Sequence, residues 1–237
     1  MEKIEALAKK LQIRFKEPAL LKQALVHRSY LNEHRSFELP HNERLEFLGD
    51  AVLELIVTDH LYRKYKEPEG VLTSWRSALV RGERLAKVAS EFGVGDAILM
   101  SRGEEKSGGR GRNVLLANAF EAIIGAVYLD SGYDAANDLV HRVLIPVLPE
   151  IIANNLDQDA KSRLQEISQQ KFGITPNYEV VEESGPDHDK HFTIGVYLEK
   201  NKVGQGEGAS KQQGEQAAAE DALTSEAFTA KGTPDVS

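Results

Sequence analysis

The sequence predicts an all-α body followed by a small α+β domain of order α-β-β-β-α. Three observations carry this. Apolar residues recur at helical spacing through the first 150 residues, the apolar/polar period shortens to two after residue 160, and a Pro-rich stretch separates the two textures.

The order of elements follows from local signals. "PALLKQALVHRSYL" has helical spacing at Leu20, Leu21, Ala24 and Leu25. A long helix is expected from Asn42 to about Tyr65, stopped by "KEPEG". "LTSWRSALVRGERLAKVASEFG" continues the pattern, with Thr73 as a candidate cap, Trp75 in the core and Gly93 as a C-terminal stop. "EEKSGGRGRN" at 104–113 reads as a polar, Gly-rich loop. "VLLANAFEAIIGAVYLDSG" reads as a nearly buried helix ending at Gly132. "LIPVLPEIIANNLDQD" holds Pro146 and Pro149, which places a linker at 153–159 between a body at 1–152 and a second domain at 160–229. There "KSRLQEISQQKFG" is a helix, three alternating segments are strands, and "SKQQGEQAAAEDALTSEAF" returns to helix.

The chain of 237 residues is 41% hydrophobic, enough for a sizeable core. It has no cysteine, which removes disulfides and thiolate metal sites and suits a reducing cytoplasm. The N-terminal pattern is charged and amphipathic, unlike a signal peptide, and no run of about 18 apolar residues suggests a membrane span. With 29 basic and 37 acidic side chains the formal charge is −8, so indiscriminate nucleic-acid binding is not expected. A polyanionic partner must be met by a local basic patch or through bound cations.

"NERLEFLGDAVLEL" contains the chemistry. Steps of three and four residues put Glu43, Glu46 and Asp50 within a sector about 60° wide, with Leu45, Leu48, Val52, Leu55 and Ile56 opposite. Like charges at this spacing cost a few tenths of a kcal/mol per pair. Either the face is simply solvated, or a divalent cation offsets the repulsion. "LLANAFEAIIGA" offers Asn118 and Glu121 three residues apart on a helix of small apolar residues. A carboxylate there is unusual, because buried acids are normally paired or coordinated. Packed face to face, the two helices would converge Glu46, Asp50, Asn118 and Glu121, an all-oxygen set suited to Mg²⁺ or Mn²⁺.

These segments resemble the ribonuclease III family, together with "ALVHRSY", "PEG", "LVRGERLA" and "NAFEAIIGAVYLD". Residues 160–230 resemble a double-stranded-RNA-binding domain through "RLQEISQ", "GPDHDKHF" and "SKQQGEQAAAEDAL". The resemblance implies a homodimeric endonuclease that hydrolyses double-stranded RNA with Mg²⁺, leaves 5′-phosphate and 3′-hydroxyl ends, and processes rRNA and mRNA. It places Glu46, Asp50, Asn118 and Glu121 at metal-binding positions and Glu43 and Glu69 at further acidic positions of the catalytic valley. Phe47 is either a core aromatic or, by the resemblance, a knob entering a partner subunit. Ser162, Gln165, Glu166 and Gln169 on one helix face, His188 in a loop, and Ser210, Lys211 and Gln212 at a helix start fall on RNA-contacting positions.

Two positions depart from the family's pattern. Asn118 stands where Asp is usual, so the metal should be held more weakly, either as a natural variant or as a crippled site. Gln212 stands where a second basic residue is usual. Residues 160–230 hold 12 acidic and 7 basic side chains, net −5, which predicts weak phosphate binding. "KSGGRGR", with Lys106, Arg110 and Arg112, is either flexible or a further phosphate contact; it lacks nucleotide P-loop spacing. His27 and Ser29 read as structural. The alternative to an enzyme is a double-stranded-RNA-binding regulator with a dead nuclease site. A third reading, a helical nucleotide hydrolase, leaves the second domain unexplained.

Overall fold

The computed structural model describes residues 2–154, 160–186 and 190–225. The chain divides into two compact units, one up to residue 157 and one from residue 158.

The first unit is helical. It comprises α1 (Glu2–Lys10), α2 (Pro18–Ala24), α3 (Arg28–Glu33), α4 (Glu43–Lys64), α5 (Glu69–Val80), α6 (Gly82–Phe92), α7 (Val94–Ala97), α8 (Arg102–Lys106), α9 (Asn113–Val143) and α10 (Leu148–Ala153). The core sits on α9, whose apolar residues from Leu116 to Val143 pack against α4 and α6. The segment from α9 through α10 is long and apolar enough by composition to cross a bilayer, although Asn118, Glu121 and Asp130 interrupt its apolar run. Its apolar side chains instead form the protein core: Phe120, Ile123, Ile124 and Leu139 are fully buried.

Boundaries depart from sequence expectation where local contacts override periodicity. The segment from Pro18 to Leu31 is two helices, because Val26 leaves the helix to bridge Leu99 in parallel. Likewise α5 begins at Glu69, not near Thr73, whose hydroxyl instead donates to the Glu69 carboxylate at 3.1 Å. Arg81, at φ −57° and ψ 135°, separates α5 from α6. Gly93 closes α6 in the left-handed conformation, and Gly132 kinks α9 instead of ending it. Trp75 is half-buried and meets Tyr65 edge-on at 5.1 Å.

The glycine-rich stretch at 104–113 is ordered. It forms α8 and a 3-10 turn at Gly109–Gly111. Arg110 donates to the carbonyls of Gly95, Asp96 and Ile98 at 2.8, 3.2 and 3.1 Å and pairs with Glu105 at 2.7 Å. Arg112 pairs with Glu104 at 2.6 Å. The Arg110 and Arg112 guanidinium groups are engaged within the fold, which accounts for the order of the loop.

The second unit packs α11 (Ala160–Phe172) and α12 (Lys211–Thr224) with an antiparallel sheet of β1 (Asn177–Ser184), β2 (His191–Leu198) and β3 (Asn201–Gly208), in the order β1-β2-β3. Leu164, Ile194, Val196, Leu198, Ala218, Ala219 and Ala222 form its core. On β3 the inward positions are glycine: a Cβ on Gly206 would lie 2.2 Å from the Ala218 nitrogen. The alternation read as half-buried side chains is here bare backbone against α12. Strand β1 is an edge, largely exposed, and carries Glu179, Glu182 and Glu183.

Candidate active site

The site follows from how closely α4 and α9 approach. A Cβ on Gly49 would sit 1.8 Å from the Glu121 carbonyl oxygen, and one on Gly125 would sit 2.3 Å from the Leu45 carbonyl oxygen. Both are far below any real contact, so the helices meet backbone to backbone. Gly49 lies between Glu46 and Asp50, and Gly125 lies one turn past Glu121. This reciprocal contact brings the acidic face of α4 to the polar residues of α9.

The electrostatics record the crowding. Burial first, then the Asp50 and Glu46 carboxylates, push the Glu121 carboxyl up to about 7. Glu46 is raised by burial, then by Glu43 and Asp50, while a hydrogen bond with the Asn118 side chain opposes the rise. Glu43, Glu46 and Asn118 line one small cleft with His27, Arg28 and Asn42. The buried Asn42 starts α4: its carbonyl accepts from Leu45 and Glu46 N–H, and its amide donates to the Ala24 carbonyl at 3.2 Å.

Convergence is less complete than the sequence suggested. Among the described residues, no three His, Cys, Asp or Glu side chains already stand in a metal-holding group. Mutual repulsion works against such a cluster, and the fourth member, Asn118, is an amide. Glu69 lies elsewhere, bordering a hollow between the end of α4 and α5 with Tyr62, Tyr65 and Arg76. Glu43 is shared between Arg28 at 3.6 Å and His41 at 3.8 Å. Sequence reasoning missed both Arg28 and Asn42; "HRSY" and the Asn before "ERLE" were their only signals.

Phe47 is not a core residue, being 82% exposed. Leu55, on the side of α4 opposite the acids, is 57% exposed, and Tyr62 is 74% exposed. Together they form an apolar stripe within about 80° around the helix axis.

In the second unit, Ser162, Gln165, Glu166 and Gln169 are all exposed along α11. Gln169 donates to the Thr175 hydroxyl at 2.6 Å. Ser210 caps α12, accepting from Gln213 N–H at 3.2 Å, while the Gln213 side chain accepts from Ala209 N–H at 3.1 Å. Lys211 and Gln212 are exposed in the first turn, with the Lys211 ammonium 5.8 Å from the Phe192 ring centroid. His188 lies outside the described residues.

A family model described as "Ribonuclease-III-like" matches residues 17–148, and one described as "Double-stranded RNA binding motif" matches residues 160–225. By class, then, this is a nuclease joined to a double-stranded-RNA-binding domain. Ribonuclease 3 of Desulforamulus reducens is 46% identical over 223 residues, 94% of this chain and 91% of that protein. Ribonuclease 3 of Enterococcus faecalis is 48% identical over 212 residues, 89% of this chain and 92% of that protein. The nuclease domain of Campylobacter jejuni ribonuclease III, solved in a study of structural flexibility in its dimer-forming region, superposes with a TM-score of 0.57. It is 42% identical, and the match covers 62% of this chain and 99% of that domain. The chain belongs to the ribonuclease III family, and its activity is that of an endoribonuclease on double-stranded RNA.

Proposed function

We propose that the contact between α4 and α9 is the cleavage centre and that Glu46, Asp50, Asn118 and Glu121 hold Mg²⁺ there, with Mn²⁺ as a substitute. The observation that carries this is the reciprocal glycine contact, which places acidic side chains of two helices beside one another. The donors are all oxygen, as a hard cation requires, and like charges are crowded enough to push Glu121 up to about 7. When bound, such an ion supplies an activated water and neutralises charge developing on the phosphodiester.

The protein's own groups set the conditions. Glu121 gives up its proton to become a ligand, and Glu46 is oriented by the Asn118 hydrogen bond. The products are expected to carry 5′-phosphate and 3′-hydroxyl ends. Ser162, Gln165, Glu166, Gln169, His188, Ser210, Lys211 and Gln212 are assigned to the RNA contact. The exposed stripe at Phe47 is assigned to a second copy of the chain, giving a homodimer with one cleft per subunit.

A long RNA duplex with Mg²⁺, followed by mapping of the product ends, tests the reading. Glu121→Gln should abolish cleavage; a variant cutting at the parental rate would end the assignment. One observation favours a weaker enzyme, or a regulator that binds without cutting: Asn118 is uncharged where the cation would sit. Asn118→Asp should lower the Mg²⁺ requirement of an active enzyme, whereas activity appearing from near zero would identify the regulator.

A further inference from the structure

Arg28 opens α3 with its side chain 73% exposed and sits on the rim of the cleft lined by Glu43, Glu46 and Asn118. Among the described residues lining that cleft it is the only Lys or Arg. Its neighbour His27 supplies no lasting charge near neutral pH, because burial lowers its pKa. The rest of the lining is carboxylate, amide, imidazole or apolar, so within the cleft itself an RNA backbone meets one permanent cation.

That cation is held loosely. Its Nη1 stands 3.6 Å from the Glu43 carboxylate, with both groups substantially exposed. An exposed pair of this kind contributes about 0–1 kcal/mol and is readily exchanged. A guanidinium fork fits two phosphate oxygens better than one distant carboxylate oxygen.

We propose that Arg28 is a phosphate-binding residue of the cleavage cleft, resting on Glu43 in the free protein and moving to a backbone phosphate beside the scissile bond when RNA docks. Glu43 is then the resting partner of a substrate-binding cation, and its acidity keeps Arg28 aimed at the cleft. The inference rests on the assignment of the cleavage centre to the α4–α9 contact.

The test is steady-state cleavage of an RNA duplex in Mg²⁺ by the full chain, Arg28→Ala and Arg28→Lys, each across a salt series, with thermal midpoints as a control on folding. Arg28→Ala is expected to raise KM about tenfold with little change in kcat. The slope of log(kcat/KM) against log[salt] should become shallower by about 0.9, the value of one lost phosphate contact. Arg28→Lys keeps the charge, so it should keep the slope while losing part of the affinity.

If Arg28→Ala leaves KM and slope unchanged, or lowers kcat alone, Arg28 is only a structural partner of Glu43 and the proposal is wrong. Failure of the unaltered chain to cut duplex would remove the site assignment and this inference with it. That result is distinct from a cutting enzyme indifferent to Arg28.

Discussion

Glu121 carries the largest electrostatic penalty among the site residues, and the sign of its effect on stability is fixed. Its folded pKa is raised from 4.5 to about 7. The folded state therefore holds the proton more tightly than the unfolded chain. This stabilisation is complete below about pH 4.5 and is lost as pH rises through about 7. After discounting for partial exposure, ionised Glu121 should cost about 1 kcal/mol at pH 8 in EDTA. Glu121→Gln should raise the thermal midpoint at pH 8, change it little at pH 4, and lose the response to added Mg²⁺. Equal midpoints for the two proteins at pH 8 in EDTA would show that the crowding is relieved by solvent. Asn118 belongs to the same balance. Its amide donates to Glu46 without adding a further negative charge, so the cluster is less strained than one with Asp at that position.

Among the elements, α4 and α9 are defined by what their glycines permit. Gly49→Ala would put a methyl group 1.8 Å from the Glu121 carbonyl oxygen, and only separation of the helices could relieve it. Cleavage should fall at least a hundredfold, with stability reduced by about 3 kcal/mol or more, measured by duplex cleavage and by denaturant unfolding. Preserved activity would mean that the helices can part without cost to the site. The extent of α4, the presence of α9 and the α-β-β-β-α order were legible in the sequence, because long periodic segments are local signals; α9 itself runs to Val143, past the Gly132 read as its end. The acidic faces were legible for the same reason. What could not be read was the work of distant partners. The Val26 bridge to Leu99 divides one periodic stretch into two helices, and carbonyls from 95 to 98 order a glycine-rich loop through Arg110. Leu55 lies opposite the acids, as its spacing implies, yet is exposed, because periodicity gives a face but not what covers it. Glu69 shares a motif order with the other acids, yet the fold carries it to a different hollow.

For the whole molecule, the stripe of Phe47, Leu55 and Tyr62 is the apolar surface most in need of an explanation. If a second copy covers it, Phe47→Ala should raise the dimer dissociation constant at least tenfold in sedimentation equilibrium, because large buried aromatics dominate such contacts. An unchanged mass at low concentration would assign the dimer to another surface. A two-fold pair suits the substrate, since the strands of an RNA duplex are themselves related by local two-fold axes.

The acidic edge of β1 bears on the same question from the opposite direction. An unpaired strand edge invites copies to stack without limit, and Glu179, Glu182 and Glu183 would set like charge against like charge in any such stack. Growth through the β1 edge is thereby discouraged. A border charged in this way keeps the protein dispersed at concentrations where an uncharged one would seed fibres.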